Sequence, residues 1–322
     1  MKKNFLGYPL RPSHSASDES LAFTTDPRSV STFSVHSVRG SASRLPAKFG
    51  GTGRVGALTL KQQSTLDRCR TEMMSEGLFN PDRHTDYLIL RFLRARKFDL
   101  EATMKMIRAC EQWRRDFKVD ELYRNFEFPE EKVVESLYPR YYHKTDRFGR
   151  PVYFEEAGSA DITELFKVTT EDRMIKHFIS GYEKLVREKF PACSAYAERN
   201  IEECLVIMDL KGLSLKEAPR ALSFVRRTTA IAQDYYPEQL GRMYVINAPL
   251  LFSSIWNLIK NFLDEVTASK IVILGSKYTS SLLKDIAPEN LPEKFGGSCR
   301  CENEGGCRHS DAGPWRPPPV DI

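Results

Sequence analysis

Leu250-Leu-Phe-Ser-Ser-Ile-Trp-Asn-Leu-Ile-Lys-Asn-Phe-Leu263 has helical spacing and is apolar around most of its circumference; Arg242-Met-Tyr-Val-Ile-Asn-Ala248 precedes it and Lys270-Ile-Val-Ile-Leu-Gly275 follows. The two flanking runs are short, rich in branched and aromatic residues, and bounded by turn or helix signals, which predicts buried strands. A third such run, Glu203-Cys-Leu-Val-Ile-Met-Asp-Leu210, lies upstream. Helical patterns over 171–189 and 215–236 separate the three, and this alternation predicts an α/β fold with a mostly parallel sheet. Apolar residues at 252, 255, 256, 258, 259, 262 and 263 exceed the stripe that one core contact needs. The second side of that helix therefore requires an apolar cover, and a ligand is one candidate.

Further upstream, Asp146 to Pro151 carries turn chemistry between two aromatic runs, Tyr138 to Thr145 and Pro151 to Phe154, which predicts a hairpin. Three helical patterns fill 58–117, broken at Gly77 to Pro81 and at Asp99, a residue suited to cap the third. In the second of them Arg91, Arg94, Arg96 and Lys97 accompany apolar residues at 88, 89, 92 and 93, and the ordinary reading is a solvated helix face. The expected organisation is a disordered Ser/Gly/Arg-rich segment 1–56, a helical lobe 57–125, an α/β lobe 126–302 and a coil-like tail 303–322 pinned back by Trp315.

The chain has 322 residues, 41% of them hydrophobic, and a formal net charge of +5, too mild to point to nucleic acid. It shows no apolar run of the ~20 residues of a membrane span and no apolar signal core, so the expectation is a soluble intracellular protein. Seven cysteines in such a chain predict reduced structural thiols. Cys299, Cys301, Cys307 and His309 are four potential zinc ligands close in sequence, yet their spacing matches no common zinc module, and no metal is assigned. Gly51-Thr-Gly-Arg-Val-Gly56 has the letters of a dinucleotide fingerprint without a strand before it, so it is not read as a nucleotide site. Nucleophile-elbow, metalloprotease and P-loop patterns are absent. His143 has no acidic partner in sequence and reads as a structural or pocket-lining residue; Asp209, followed by Lys211-Gly212, reads as a turn or ion-pair residue. The expectation is a protein that is not an enzyme.

Seven blocks in order carry a resemblance: Leu90-Arg-Phe-Leu-Arg-Ala-Arg-Lys-Phe-Asp99, Tyr141-Tyr-His-Lys-Thr-Asp146, Gly149-Arg-Pro-Val-Tyr-Phe-Glu-Glu156, Ile207-Met-Asp-Leu-Lys-Gly212, Tyr235-Tyr-Pro-Glu238, Ile246-Asn-Ala-Pro249 and Asn290-Leu-Pro-Glu-Lys-Phe-Gly-Gly297. Across 58–297 the chain resembles the Sec-fourteen-type phosphatidylinositol/phosphatidylcholine transfer proteins of the CRAL-TRIO lipid-binding family. The resemblance implies a helical lobe before a sheet that floors an apolar pocket for one phospholipid, closed by a gating helix. The gate would carry Phe252, Ile255, Trp256, Ile259 and Phe262, with Gly296-Gly297 as a hinge.

By the same resemblance the inositol phospholipid headgroup would be held by Arg96, Lys97 and Lys270, with Glu238, Asp264 and Thr267 for its hydroxyls. Gln239 stands where some members have an arginine. Tyr142 and Tyr153 match pocket tyrosines. Members that carry phosphatidylcholine present a serine and a threonine where this chain has Cys204 and Val206, and strand alternation puts both losses on one face. The implied function is exchange of phosphatidylinositol, with phosphatidylcholine or another lipid as second ligand, and its presentation to phosphatidylinositol kinases. The implied protein is a cytoplasmic monomer that docks transiently on Golgi or endosomal membranes, with bound phospholipid as ligand and no cofactor. The alternative is a carrier or sensor of a sterol, isoprenoid or haem.

Overall fold

Thr59, Thr85 and Asp99 each accept a backbone N–H at the start of a helix and so set where α1 (Leu60–Ser75), α2 (Asp86–Ala95) and α3 (Leu100–Asp116) begin. The computed structural model describes residues 51–213, 218–249, 252–261 and 263–316, without the side chains of 218–222, 253–255 and 258. The three helices enclose Leu66, Cys69, Met73, Ile89, Leu90, Leu93, Met104 and Ile107. Short helices α4 (Val119–Asn125) and α5 (Glu131–Leu137) lead into the sheet. Most of the segment expected to be disordered lies outside the described residues. Its end, 51–56, departs from that expectation, because Gly53 O accepts from Arg94 and Arg54 reaches Glu202 and Glu203.

The predicted hairpin is β1 (Arg140–Thr145) and β2 (Pro151–Glu155), paired antiparallel. Asp146 closes its turn by accepting the N–H groups of Phe148 at 2.8 Å and Arg150 at 2.9 Å. Helices α6 (Ile162–Val168) and α7 (Glu171–Lys184) follow. The helix predicted over 171–189 runs on through a π turn at Leu185–Lys189 into α8 (Phe190–Tyr196). Pro191 has no N–H for its i−4 carbonyl, and the widened turn accommodates that loss. Then come β3 (Cys204–Asp209), α9 (Ala218–Tyr235), β4 (Leu240–Ile246), α10 (Phe252–Lys260), α11 (Glu265–Ser269), β5 (Ile271–Ile273) and α12 (Thr279–Asp285). Strand order is β1-β2-β3-β4-β5, parallel from β2 onward as predicted.

The register aligns Tyr142, Tyr153, Val206, Met243 and Ile271 in one row across the sheet. Alternation then gives the sheet two faces. The back face, Val152, Phe154, Leu205, Ile207, Tyr244 and Ile246, packs with Leu282 and Ile286 of the α12 region and with Leu291 and Phe295. The front face carries Arg140, Tyr142, Tyr153, Glu155, Cys204, Val206, Met208, Met243, Val245 and Ile271. Gly296 and Gly297, expected as a hinge, have a packing reason instead. A Cβ on Gly297 would stand 1.9 Å from Leu291 O, and one on Gly296 would meet Thr279 at 2.4 Å.

Helix α3 joins the helices above the sheet through Trp113, which stacks on Tyr235 at 4.0 Å, and through Arg114, which donates to Glu183 at 2.8 Å. Glu183 also accepts from the Tyr236 hydroxyl at 2.7 Å. The buried carboxylate is thereby satisfied by an arginine and a phenol, as burial of a charge requires.

Candidate functional site

The front face is covered in two halves. Over β1 to β3, Tyr142, Tyr153, Cys204 and Val206 lie under Leu185, Phe190, Cys193 and Ile201, with Tyr182 and Val186 alongside. The π turn and α8 supply most of this cover. Over β3 to β5, Met208, Met243, Val245 and Ile271 meet α10 through Phe252 and Trp256. Phe252 is 5% exposed, so the predicted apolar helix is seated on the sheet at its first turn. Trp256 and Ile259 are half-buried. Phe262 and the Ile255 side chain lie outside the described residues.

The tyrosine pair predicted for the pocket is present, its rings 4.9 Å apart. Burial holds the phenols of Tyr142, Tyr153 and Tyr182 far above their ordinary range, so all three are neutral donors in an apolar setting. Burial likewise pushes the Cys204 thiol up to about 12. Cys204 and Val206 share the front face, as alternation requires. One polar feature here escaped the sequence reading: Arg140 and Glu155 are cross-strand partners on the front face, and the Tyr138 hydroxyl donates to Glu155. Alternation from Tyr142 and Tyr153 could have found both.

At the amino ends of three parallel strands a charged cluster gathers. Glu203 precedes β3, Glu238 precedes β4 and Lys270 precedes β5; Lys270 Nζ lies 3.7 Å from Glu203 and 3.6 Å from Glu238. Arg94 joins from α2, 2.8 Å from Glu202 and 3.8 Å from Glu238. Arg54 pairs with Glu202 and Glu203, and Arg91 donates to Glu202 O at 3.1 Å. This corrects the solvated-face reading of α2: Arg91 is 5% exposed, and its helix face looks inward toward paired carboxylates. Burial pulls Arg91 down to about 10, so it stays cationic at neutral pH. Arg54, Arg91, Arg94 and Lys270 face Glu202, Glu203 and Glu238, a surplus of one positive charge. The Lys270 pairs exceed the ~2.7–2.9 Å of a charge-assisted hydrogen bond, so its donors are not committed.

The predicted headgroup residues are partly assembled. Lys270 and Glu238 meet directly. Asp264 caps α11 by accepting the Thr267 N–H at 2.9 Å and hydroxyl at 2.5 Å, and α11 ends at Lys270. The last turns of α9 touch both sides: Gln233 Oε1 accepts the Asp264 N–H at 3.0 Å, and partial shielding raises the Asp234 carboxyl while Arg96 pulls it down. Lys97 is exposed in a left-handed turn conformation (φ 52°) with no ion-pair partner among the described residues. Gln239 is buried and its Oε1 has no hydrogen-bond partner among the described residues. Arg54, Arg94 and Glu203, central to the cluster, lay outside the predicted set: Arg54 falls in a segment and Glu203 at a strand end with no periodic signal, and the periodicity of α2 put Arg94 on its charged face.

Other sequence candidates take structural places. Gly53 fits against the Phe98 ring, where a Cβ would stand 2.9 Å away, so the glycine-rich run serves packing. Asp209 Oδ1 accepts from Asn247 Nδ2 at 2.7 Å and from the Lys211 N–H at 2.9 Å, the turn role predicted. His143 is fully buried and points to the back of the sheet, beside Phe154, so it does not line the pocket. Burial, then the Lys144 charge, lowers it to about 4.

Residues 135–297 match the CRAL/TRIO domain and residues 58–109 the CRAL/TRIO N-terminal domain. The chain is 49% identical over 263 residues to the Sec14 cytosolic factor of Schizosaccharomyces pombe, covering 82% of this chain and 91% of that one. It is 49% identical over 266 residues to the SEC14 cytosolic factor of Kluyveromyces lactis, covering 82% and 88%. It is 41% identical over 262 residues to the phosphatidylinositol/phosphatidylcholine transfer protein SFH12 of Arabidopsis thaliana, covering 81% and 48%. Among solved structures, the crystal structure of Sfh5 matches with a TM-score of 0.55 at 19% identity, over 69% of this chain and 82% of that one, a likeness of fold.

Proposed function

The chain belongs to the CRAL-TRIO family, and we propose that within it this protein binds one phospholipid, chiefly phosphatidylinositol, and exchanges it between membranes. One observation carries the reading: an apolar helix, α10, rests on the same sheet face that tyrosines line, and a cluster with surplus positive charge stands where that face begins. An apolar chamber with a cationic mouth suits two acyl chains and a phosphodiester. The plant relatives, phosphatidylinositol/phosphatidylcholine transfer proteins by name, support the same cargo.

In this reading Lys270 takes the phosphate, with Arg96 and Lys97 closing from the α2 turn. Glu238 and Thr267 serve inositol hydroxyls, and Asp264, whose carboxylate already caps α11, acts mainly by holding Thr267 and Lys270 in place. Tyr142 and Tyr153 face the second lipid. Helix α10 opens by lifting Phe252 and Trp256 from the sheet. Each acyl CH₂ shielded from water contributes about 0.8 kcal/mol, so a lipid leaves only when the open gate lies on a membrane, where Trp256 suits the interface. Among the described residues no helix is long and apolar enough to cross a membrane. The protein then works as a monomeric, non-catalytic carrier, docking peripherally on Golgi or endosomal membranes and offering phosphatidylinositol to its kinases.

Vesicle-to-vesicle transfer by Lys270→Ala and Arg96→Ala tests the headgroup assignment. Phosphatidylinositol transfer is expected to drop to background with the thermal midpoint unchanged; full transfer by both variants would remove the assignment. Organic extraction of the native protein identifies the cargo. Recovery of a sterol, isoprenoid or haem in place of phospholipid would transfer the reading to the alternative that Cys204 and Val206 favour.

A further inference from the structure

The thiols of Cys299, Cys301 and Cys307 and one ring nitrogen of His143 lie within 4.8 Å of one another, although His143 is more than 150 residues from the cysteines. Cys299 and Cys301 sulfurs are 3.6 Å apart. A tetrahedral zinc with Zn–S bonds of about 2.3 Å places its donors about 3.8 Å apart, so the cluster is close to ligating geometry. The loop between them is built to return: Cys301, Gly305 and Gly306 take left-handed conformations, and the Gly306 N–H donates to Cys301 O at 3.0 Å.

The histidine tautomer follows from its neighbour. The Ser310 hydroxyl donates to Cys307 O at 3.0 Å, so at its 3.1 Å contact with His143 Nδ1 the serine oxygen must accept. Nδ1 therefore carries the proton, and Nε2 keeps its lone pair. That Nε2 is buried and has no hydrogen-bond partner among the described residues. A buried acceptor left without a partner, on a ring that stands beside three thiols, is costly without an ion, and a ligating imidazole held through its other nitrogen is the usual second-shell arrangement. His309, the histidine adjacent in sequence, is exposed and stands outside the cluster.

We propose that His143 Nε2 and the thiolates of Cys299, Cys301 and Cys307 bind one structural zinc ion. Three sulfurs and one imidazole in a closed tetrahedron select zinc over calcium or magnesium, which take oxygen ligands. The ion clips the segment after Gly297 to the edge strand β1. That segment already reaches β1 through Lys144 N–H to Ala312 O at 2.6 Å, and it carries Trp315 to the edge of Tyr142 and beneath Lys189 Nζ, 4.2 Å from its ring. The zinc thus fixes the tail beside one wall of the front face.

Full-length protein without an affinity tag, equilibrated with zinc under reducing conditions and desalted, is weighed by native and denaturing mass spectrometry. About one zinc per chain is expected, lost on denaturation, and cobalt in its place should give the visible absorption of a tetrahedral thiolate site. Cys307→Ser and His143→Ala should lower occupancy at least about tenfold, His143→Cys should retain it, and His309→Ala should leave it unchanged. Metal-free wild-type protein with all seven thiols reactive after unfolding, or a disulfide within the trio in freshly purified reduced protein, would overturn the proposal. Zinc lost on His309→Ala and kept on His143→Ala would overturn the ligand assignment. The wild-type measurement does not depend on any variant folding.

Discussion

The two faces of one sheet differ in how completely protein covers them. On the back, Val152, Phe154, Leu205, Ile207 and Ile246 are all fully buried, sealed by α12 and the segment up to Phe295. On the front, Met208, Met243, Tyr142, Tyr153 and Ile271 stay partly accessible beneath α8 and α10. The same strands supply both sets by alternation, so hydrophobicity alone does not distinguish a sealed face from a partly accessible one. The covering elements do: the back is closed by glycine-tight packing at Gly297, the front by a helix that touches the floor through Phe252 and Trp256.

The sharpest way to break this contrast is stability. Ile207→Ala on the back should cost about 3–5 kcal/mol, whereas Ile271→Ala, half-buried on the front, should cost about 1–2 kcal/mol in lipid-free protein, both read from urea unfolding. Equal losses would mean the front face is ordinary core. A gentler test adds polarity to the front face. Cys204→Ser combined with Val206→Thr adds two hydroxyls to one face, and at about 0.5–1.5 kcal/mol per hydrogen bond the phosphatidylcholine share of extracted lipid should rise about tenfold relative to phosphatidylinositol. An unchanged ratio would place the second headgroup elsewhere.

A third test concerns pH at the front edge. His177 stacks on Phe128 at 4.4 Å, and burial, then the charges of Arg140 and Lys184, lowers it to about 3. Its folded value lies below the unfolded one of about 6.5, so the unfolded chain binds more protons between them and stability falls with acid. The contribution is complete above about pH 6.5 and lost as pH falls toward about 3. His177→Gln should therefore flatten the decline of the urea midpoint between about pH 7 and pH 4. A slope equal to wild type would assign the acid sensitivity to other groups.

Much of this was legible in local pattern. The strand runs, the hairpin turn at Asp146, the cap at Asp99 and the apolar excess of α10 are properties of residues within one or two turns of each other, so their spacing suffices. The headgroup end was half legible: Lys270 and Glu238 follow from the family resemblance, whereas the sequence pattern places Arg54 in a disordered segment and Arg94 on a solvated helix face. Their partners, Glu202 and Glu203, stand more than 100 residues away, and no spacing rule spans that distance.

The amino-acid sequence by itself determined the order of helices and strands, the mostly parallel sheet, and which side chains share each face, because backbone geometry imposes periods of 3.6 and 2 on any chain. Tertiary structure alone decided which charges meet and which thiols converge. Arg91 is buried because strand β3 begins beneath α2, and His143, not His309, faces the three cysteines because β1 carries it to where the tail returns. Those are distances between segments remote in the chain, and they exist only once the sheet has brought the segments together.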